Sequence, residues 1–408
     1  MKSPVTCYVR FGFSDGPGPV KGPQIAPCTS SVCGIRCAFG QCKVHGTCLT
    51  SSSRAVDAGS LGGYHAVMVS PLATLPSDAY VPILKGKAAE LGAVSSAPKD
   101  RLVPLLEFID AEKAPALLSK AWDTEDDAVW VQLLNFEGVS DSNFGTQITA
   151  VFDQVRGKVC AVPVVTTTEE PATLAAIAGV IAEDQRGAVL RIDVEDLIDG
   201  DVDTGADIAS TLDQLDISPS QVALVVDGGT LTGPPTIQAT VATQALSALT
   251  LDDWLSVILS FSAFPEELGK VAAASSVTVI PRADAVSFTT VRNTTEHALI
   301  YGDYAVGTPS YGAAPFAPIP NIRYAAGGDW QIHRAKTRKS PSPQYVALAK
   351  AIVSATYYDG ASFSPGDQQI NDVATGAGGP GNATTHLRAA TSRHLHLVLS
   401  RLASLGAP

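Results

Sequence analysis

Eight short apolar runs, separated by stretches with helical periodicity, most constrain how this chain can fold. Each run is six to eight residues long, rich in Val, Leu, Ile and Ala, and ends on or beside a polar residue. Near-continuous apolar runs of this length are typical of parallel strands that are buried on both faces. The runs cover 79–85, 101–108, 128–134, 159–166, 188–194, 221–227, 254–260 and 298–303.

Successive runs begin roughly 20 to 40 residues apart, which leaves room for a right-handed helical crossover between each pair. Eight such units predict an α/β fold, a closed (β/α)8 barrel of the TIM type over about residues 79–305. The alternative is an open, doubly wound parallel sheet. The sequence has no G-x-G-x-x-G after the first run and no P-loop, so two common signatures of that alternative are missing.

The chain divides into three predicted segments: 1–67, the barrel domain 68–305, and a C-terminal segment 306–408. The composition changes after residue 305, where a stretch rich in Pro, Gly and aromatic residues replaces the regular alternation of apolar runs and helical stretches. We expect residues 307–340 to be extended and irregular, two helices to follow, and the whole C-terminal segment to pack on the barrel.

Residues 1–67 differ from the rest in composition. Six of the seven cysteines lie there, namely Cys7, Cys28, Cys33, Cys37, Cys42 and Cys48. Their spacings include no CxxC pair, so a zinc knuckle or a disulfide cluster finds weak support. The segment is rich in Gly, Ser and Pro and lacks periodicity, and Met68 follows it. We expect a disordered extension, or a wrongly assigned start upstream of Met68.

The net charge of −12 disfavours non-specific binding to nucleic acid or to an anionic membrane, although a local basic cleft remains compatible with it. No apolar run approaches the roughly 18 residues that a membrane helix needs. The first residues lack the apolar segment of a signal peptide. These observations predict a cytoplasmic protein without a membrane partner.

Functional groups of a parallel barrel collect where its strands end. The predicted strand ends are Lys85, Glu107, Gln132, Thr166, Asp193, Asp227, Ser260 and Asp303, with Tyr304 beside the last. Alternation places Arg191 on the same side of its strand as Asp193. Arg282 precedes a predicted helix and could lean over the same mouth.

These residues supply positive charge beside carboxylates, and crowded charges perturb one another's pKa values as acid–base catalysis requires. The candidate catalytic residues are Glu107, Asp227 and Lys85; the candidate substrate-binding residues are Arg191, Asp193, Arg282, Asp303 and Tyr304. Several carboxylates could also hold Mg²⁺ beside a bound phosphate. The alternative is that the charges pair with one another and only stabilise the mouth.

Basic and aromatic side chains interleave in "NIRYAAGGDWQIHRAKTR", residues 321–338. Such a pattern can stack on and neutralise a nucleotide or a single strand. It is equally compatible with an extended segment that packs its aromatic residues on the barrel and leaves its charges in water.

Several quoted motifs together resemble the Beta protein family, which is named after a phage protein and occurs in phages and many bacteria. They are "YVPILKGKAAEL" (80–91), "VPLLEF" (103–108), "LRIDVEDL" (190–197), "YGDYAV" (301–306) and the closing "GNATTHLRAATSRHLHLV" (381–398). The resemblance covers roughly residues 79–400. It implies a link to phage or mobile-element biology and no settled activity. The motif positions it implies, without roles, are Lys85, Lys87, Glu90, Glu107, Arg191, Asp227, Arg282, Asp303 and Tyr304.

Two hypotheses about function follow. The first is a barrel enzyme, in the broadest sense a hydrolase or a related catalyst, acting on a phosphate-containing or nucleotide substrate. In it Lys85 and Arg191 bind the anion and Glu107 and Asp227 perform acid–base or metal chemistry. The second is a binding protein of a phage-related or defence complex, which uses residues 307–340 to contact a protein partner.

Overall fold

The computed structural model describes residues 72–199, 203–312 and 318–408. The expectations for the cysteine-rich segment 1–67 and for Met68 lie outside these residues. Among the helices of the described ranges, none combines the length and the apolar composition that a membrane crossing requires.

Eight parallel strands close into a barrel, which confirms the predicted fold class. The barrel strands are β1 (Tyr80–Lys85), β2 (Leu105–Phe108), β3 (Ala128–Leu133), β4 (Cys160–Val165), β5 (Ala188–Asp193), β6 (Val222–Thr230), β7 (Ser256–Ser262) and β9 (Leu299–Asp303). Neighbours pair in that order, and β9 pairs with β1 to close the ring. Each predicted run overlaps one of these strands, and β6 and β7 extend a few residues beyond the predicted ends.

Helices connect the barrel strands. They are α1 (Ala88–Val94), α2 (Ala114–Ala121), α3 (Asp141–Val155), α4 (Pro171–Asp184), α5 (Val194–Ile198), α6 (Thr204–Leu215), α7 (Pro235–Ser247), α8 (Leu268–Val271) and α9 (Ala283–Arg292). In α3, Phe144, Ile148 and Val151 recur at three- and four-residue spacing and are buried, as expected for a helix with one apolar face. The helices therefore cover the outer side of the strands.

A second, antiparallel sheet lies beside the barrel in the order β10–β11–β8. Its strands are β8 (Ser276–Pro281), β10 (Asn321–Ala326) and β11 (Asp329–Arg334). The expectation of irregular chain over 307–340 was therefore wrong for β10 and β11, which form a hairpin around Gly327 and Gly328. Strand β8 was not predicted. It lies between two barrel strands in sequence, and its side chains alternate in exposure instead of forming a continuous apolar run.

Three C-terminal helices complete the chain: α10 (Pro341–Val353), α11 (Pro365–Thr375) and α12 (Ala383–Leu405). One face of the second sheet, with Ile322 and Tyr324, packs against α10 and α11. The other face, with Trp330 and Ile332, packs against Phe264 and residues of α12. Helix α12 also packs against α1 and β1.

Alternate residues of the barrel strands fill the barrel interior with apolar side chains. They include Val81, Ile83, Leu105, Trp130, Val162, Val164, Val189, Val225, Ile258 and Ile300. The centre of the barrel is therefore a packed core rather than a channel, as in other barrels of this type. The next inward-facing position toward the carboxyl end of each strand is where polar groups begin.

Gly302 occupies one of these inward positions, where β9 lies between β7 and β1. It pairs with Val81 on one side and with Ser260 on the other. A Cβ atom at this position would lie 2.9 Å from Ser260 Cβ, 3.0 Å from the Val81 carbonyl oxygen and 3.1 Å from Ile258 Cγ2. Glycine therefore lets the barrel close tightly at this level.

We predict that Gly302→Ala destabilises the protein by about 1–3 kcal/mol, because the added methyl group overpacks the closure of the barrel. The measurement is the free energy of unfolding in urea. Gly179→Ala is the matched control, since a Cβ at Gly179 meets nothing within 4 Å. There, within α4, alanine should stabilise by up to about 1 kcal/mol. Equal stabilities of G302A and the wild type would refute the packing argument.

Candidate active site at the barrel mouth

Polar side chains from adjacent strands line one end of the barrel, the carboxyl end. Lys85 pairs in register with Glu107, and Glu107 pairs with Gln132. On the other side of the mouth Asp227 pairs with Asp193 and with Ser260. Each lies an even number of residues beyond an inward-facing apolar side chain, so each shares the interior side of its strand. The mouth is therefore a ring of ionisable and polar groups above an apolar core.

Arg191 lies at the centre of this ring and joins its members. Its Nε donates to Asp227 Oδ2 at 3.0 Å, and its Nη1 donates to Glu107 Oε1 at 2.8 Å and to Gln132 Oε1 at 2.7 Å. Its Nη2 donates to Asp227 Oδ2 at 2.6 Å and to the Tyr304 hydroxyl at 2.5 Å. All five N–H donors of the guanidinium are thus engaged.

Asp227 is the most buried carboxylate of the mouth, and both of its oxygens accept hydrogen bonds. Oδ1 accepts from the Ser260 hydroxyl and from the Gly229 amide, each at 2.9 Å, and Oδ2 accepts from Arg191 and from the Tyr304 hydroxyl. Burial alone would raise its pKa, but Arg191 and these donors hold the pKa of Asp227 below its usual range. This carboxylate is ionised and fully satisfied.

Glu107 differs from Asp227 because one of its oxygens has no partner. Its Oε1 accepts from Arg191, while its Oε2 is buried and accepts no hydrogen bond from any residue that the structure describes. An unpartnered buried carboxylate oxygen is costly and rare, so a native structure that retains one calls for an explanation. Among the groups of the mouth, this atom is free to receive a proton or a ligand donor.

Lys85 borders Glu107 at the edge of the mouth. Burial and the neighbouring Lys87 lower the pKa of the Lys85 ammonium, and the charges of Glu107 and Glu90 partly oppose this effect. Burial raises the pKa of Glu90, which lies at the start of α1. The β1 side of the mouth therefore carries two lysines whose charges repel each other. Burial disfavours the charged form of the nearby Glu90.

The chain that follows β9 covers this side of the mouth. Lys85 donates to the carbonyl oxygen of Ser310, and the Tyr311 hydroxyl donates to the Glu107 carbonyl oxygen at 3.0 Å. The Tyr311 ring lies 4.8 Å from Lys85 Nζ and 5.1 Å from Lys87 Nζ. Beneath this cover is a cavity of about 40 Å³ lined in part by Lys85, Glu90 and Tyr304. Lys85 is half-buried at this place, whereas the Lys87 side chain is exposed.

Asp193 lies at the opposite rim and is partly exposed. Partial burial and the charge of Asp227 raise its pKa, while Arg191 opposes the increase. Of the groups predicted from sequence, the structure thus brings together Lys85, Glu107, Arg191, Asp193, Asp227 and Tyr304 at one mouth.

The structure places Asp303 and Arg282 elsewhere, on the outer side of the barrel wall. Asp303 accepts from the Tyr80 hydroxyl at 2.5 Å and from the Tyr301 hydroxyl at 2.9 Å, and it lies 2.7 Å from His394 Nε2. Arg282 Nη2 lies 3.5 Å from the same carboxylate. This is a second cluster, buried between β1, β9, α9 and α12, and it does not open into the mouth.

Strand alternation explains the difference from expectation. Gly302 faces the interior, so its neighbour Asp303 must face outward, and Tyr304 faces the interior again. The expectation that Asp303 enters the mouth assumed that the last residue of every strand points inward. The apolar runs do not reveal this phase, because they are apolar on both faces.

Sequence reasoning missed four members of the second cluster: Tyr80, Tyr301, Asp284 and His394. A signal existed for the two tyrosines, since each places a phenol inside an otherwise apolar strand, where it needs a hydrogen-bond partner. The spacing of His394 and His396, two residues apart in a helix, makes them poor joint metal ligands, and no other role was predicted for His394. The two histidines have separate partners, since His396 Nδ1 lies against the Ser392 carbonyl oxygen.

Within the described residues, no group of three or more His, Cys, Asp or Glu side chains is arranged to hold a metal ion. At the mouth, the Arg191 guanidinium lies between Glu107 and Asp227, where it supplies the counter-charge that a cation would otherwise supply. The Mg²⁺ considered from the sequence therefore has no ready set of ligands in this arrangement.

An eight-stranded parallel barrel with its ionisable side chains gathered at the carboxyl ends of the strands is a (β/α)8 barrel protein. The family model described as Beta protein matches residues 80–400. The chain therefore belongs to the Beta protein family, which confirms the resemblance seen in the sequence. No curated protein matches the sequence significantly.

Solved structures with a similar fold are distant in sequence. Triosephosphate isomerase from Bartonella henselae is 8% identical with a TM-score of 0.31, and the match covers 56% of this chain and 93% of that one. The carboxyl transferase domain of Rhizobium etli pyruvate carboxylase is 9% identical with a TM-score of 0.32, covering 78% and 48%. The biosynthetic arginine decarboxylase of Campylobacter jejuni is 11% identical with a TM-score of 0.32, covering 79% and 55%. Likenesses at these scores carry no functional conclusion.

We predict that Asp303→Asn lowers the free energy of unfolding by about 3 kcal/mol at pH 7, because it removes the counter-charge of a buried cation. Burial opposes the charge of Asp303, yet His394 and Arg282 hold its pKa well below its usual range. A depressed pKa stabilises the fold above the ordinary aspartate value, and this contribution is lost as the pH falls below about 4.

The wild type should therefore lose stability on acidification more steeply than D303N, and the difference between them should shrink toward pH 3. Urea unfolding at a series of pH values measures both slopes. Asp100→Asn, at a carboxylate whose side chain is 91% exposed, is the control and should follow the wild type. If the free energy of unfolding falls equally steeply with decreasing pH in D303N and in the wild type, Asp303 is not the source of this acid sensitivity.

Proposed function

We propose that this chain is a barrel enzyme that acts on a phosphate-containing small molecule or nucleotide at the barrel mouth. The observation that carries the proposal is Glu107, whose Oε2 is buried without a partner beside Lys85 in a ring of groups supplied by different strands. The resemblance implies a phage or mobile-element setting for this activity. At the same mouth both oxygens of Asp227 have partners, so the unpartnered oxygen distinguishes Glu107 from the other buried carboxylate of the ring.

We assign positioning roles to the groups whose hydrogen bonds are made within the mouth, and binding roles to the groups that are left to contact a substrate. Arg191 was expected to bind the anion, but its five donors are occupied, so we assign it and Asp227 to positioning Glu107. Tyr304 donates to Asp227 and belongs to the same positioning group. Lys85 is left to bind the anion, together with Lys87.

Glu107 then acts as the general base through its free Oε2. Arg191 keeps the Oε1 end fixed, so the orientation of the carboxylate is set before substrate arrives. Asp193, whose pKa is raised, can hold a proton closer to neutral pH than an ordinary aspartate and is the candidate acid on the opposite rim.

Substrate entry exchanges contacts that the chain already makes. Lys85 donates to the Ser310 carbonyl oxygen, and a phosphate oxygen would replace that acceptor with a charged one. The Tyr311 ring, which faces both lysines, would have to leave or to pack on the substrate. Entry therefore requires residues 310–312 to move away from the mouth.

The test is a substrate screen followed by substitution. Purified protein is incubated with a mixture of nucleotides and phosphorylated metabolites, and their consumption is followed by mass spectrometry. We predict that Glu107→Gln lowers kcat/KM for the consumed compound by about 10²–10⁴-fold, the usual contribution of a general base. Lys85→Gln should act mainly by raising KM, because it removes charge that binds the anion.

Glu183→Gln is the control, since Glu183 is an exposed carboxylate at the end of α4 whose ion pair is with Arg156. It should leave the rate unchanged. Full activity in E107Q with a wild-type circular dichroism spectrum, or no consumption of any phosphate compound, would remove the proposal.

A second candidate function, a binding protein of a phage-related complex, is favoured by one observation. Strand β8 lies at the edge of the second sheet as described, and its Val277 and Val279 are 55% and 54% exposed. An exposed apolar edge strand is a template to which another chain can add a strand. The contact surface would then be β8 rather than residues 307–340 as a whole.

We predict that the double substitution Val277→Lys and Val279→Lys abolishes capture of a specific protein from lysates of phage-infected cells, as quantified by mass spectrometry. Charged side chains on an edge strand block strand addition without disturbing a core. Val286→Lys, at a valine of α9 that is 51% exposed, is the matched control and should retain the partner. Equal capture by both variants would exclude β8 as the contact surface.

A further inference from the structure

A large cavity among the described residues lies away from the barrel mouth. It has a volume of about 580 Å³ and is bounded by β10 and β11, α8, and the first turn of α12. Ligand pockets for small organic molecules commonly measure about 300–1,000 Å³. None of the mouth residues Lys85, Glu107, Arg191 or Asp227 lines it. It is therefore a separate candidate site.

Two arginines project into this cavity from adjacent strands. Arg323 of β10 and Arg334 of β11 lie on the same face of the second sheet, because Arg323 pairs with Ile332, two residues from Arg334. Arg323 Nη1 donates to the Val306 carbonyl oxygen at 2.5 Å, and Arg334 Nη1 donates to the Ala272 carbonyl oxygen. These bonds fix both guanidinium groups without neutralising them.

Neither arginine forms an ion pair with a carboxylate in the part of the chain that the structure describes. Burial lowers the pKa of Arg323 to about 10, and the charge of Glu90 opposes this only in part. The Arg323 guanidinium also stacks on the Phe264 ring at 4.4 Å. A partly buried cation without a carboxylate in ion-pair contact is costly, and an anionic ligand would relieve that cost.

Arg338 also lines the cavity, and a further source of positive potential is the start of α12. This helix has 23 residues, and Ala383 and Thr384 of its first turn line the cavity. The Asn382 side chain caps the Thr385 amide and leaves the amides of the two preceding residues unclaimed by side chains. Helix N-termini favour anions, and most of all groups with several acceptor oxygens.

The remaining walls of the cavity favour an organic anion over an inorganic one. Leu268, Ile319, Tyr345 and Leu387 give the cavity an extensive apolar surface. Two glutamates, Glu266 and Glu267, lie at the exposed rim, and Glu267 pairs with Lys270 at 2.7 Å. The negative charges thus face water while the arginines are inside. A ligand that fits would carry its anionic group inward and cover the apolar walls with its body.

We propose that this cavity binds an organic phosphate: a dianionic phosphate group held by Arg323, Arg334 and the first turn of α12, on an apolar or aromatic body. The two guanidinium groups and the helix amides together offer more donors than a single carboxylate can use, whereas a phosphate has enough acceptor oxygens. The proposal goes beyond the mouth chemistry and does not depend on it.

The probes are phenyl phosphate, benzoate and inorganic phosphate, titrated into the full chain by isothermal calorimetry. Phenyl phosphate should bind most tightly, because it combines the dianion with an apolar body. Inorganic phosphate should bind more weakly because it lacks the body, and benzoate more weakly because it lacks the second charge. Benzoate binding as tightly as phenyl phosphate, or no binding by phenyl phosphate at millimolar concentration, would overturn the proposal.

The site is located by Thr384→Glu, which adds a carboxylate where the phosphate would lie. A glutamate in the first turn of a helix is favourable, so this variant should fold at least as well as the wild type. We expect phenyl phosphate to bind at least about fivefold more weakly, because like charges meet in a partly buried site. Thr236→Glu is the matched control, since Thr236 is also the second residue of a helix, α7, and is exposed.

Arg334→Gln should weaken phenyl phosphate binding by about tenfold or more, the usual effect of losing a hydrogen bond to a charged group. Lys85→Gln tests the mouth as the alternative place of binding, and it should weaken the binding of phenyl phosphate less than T384E does. Equal affinities of T384E and T236E would overturn the proposal, and so would loss of binding in K85Q with retention in T384E, because the phosphate would then bind at the mouth. Neither result would depend on whether the mouth is catalytic.

Discussion

The guanidinium of Arg191 is the interaction on which the barrel mouth depends. It is held by side chains from β2, β3 and β6 and by Tyr304 beyond β9, so a single side chain ties together four other parts of the ring. Its partners are equally dependent on it, because Glu107 and Asp227 are buried carboxylates that form an ion pair with no other cation in the described ranges. Removing one member of such a set costs about 3–5 kcal/mol, since it leaves an uncompensated buried charge. Lysine could not replace it, because only a planar group with five donors can reach all these acceptors at once.

The structure depends also on the directions in which Gly302, Asp303 and Tyr304 face. These consecutive residues face alternately inward, outward and inward, so one short segment serves the closure of the barrel, the outer cluster and the mouth. The outer cluster joins the barrel to the C-terminal helices through His394 and to α9 through Arg282. Three of its polar atoms, Arg282 Nε and Nη1 and Asp284 Oδ1, are buried and have no hydrogen-bond partner among the residues described. The outer cluster is therefore held by charge and incompletely satisfied, whereas Arg191 at the mouth is fully satisfied.

The sequence could predict the barrel because its strands are apolar on both faces and therefore stand out as continuous runs. The same property means that the sequence does not show which residues of a strand face the interior. Asp303 was therefore expected at the mouth, but it lies on the outer side of the barrel. Strand β8 was missed for the opposite reason: it has one exposed face, and its alternating pattern resembles a loop beside the barrel runs. Lys85, Glu107 and Asp227 could be predicted from strand ends alone. The unpartnered oxygen of Glu107 could not, because it depends on which acceptors Arg191 reaches in three dimensions.

The mouth and the arginine-lined cavity are separate, yet one stretch of chain contacts both. Val306 accepts a hydrogen bond from Arg323, and Ser310 and Tyr311, a few residues later, cover Lys85 and Glu107. Glu90 acts on both places, because its charge opposes the lowering of the pKa of Lys85 and of Arg323. An anion beside Arg323 would repel the Glu90 carboxylate, which also acts on Lys85. Displacing Ser310 and Tyr311 from the mouth would in turn pull on the segment that begins at Val306, which fixes Arg323. Ligand binding at either place thus acts on a group that the other place uses.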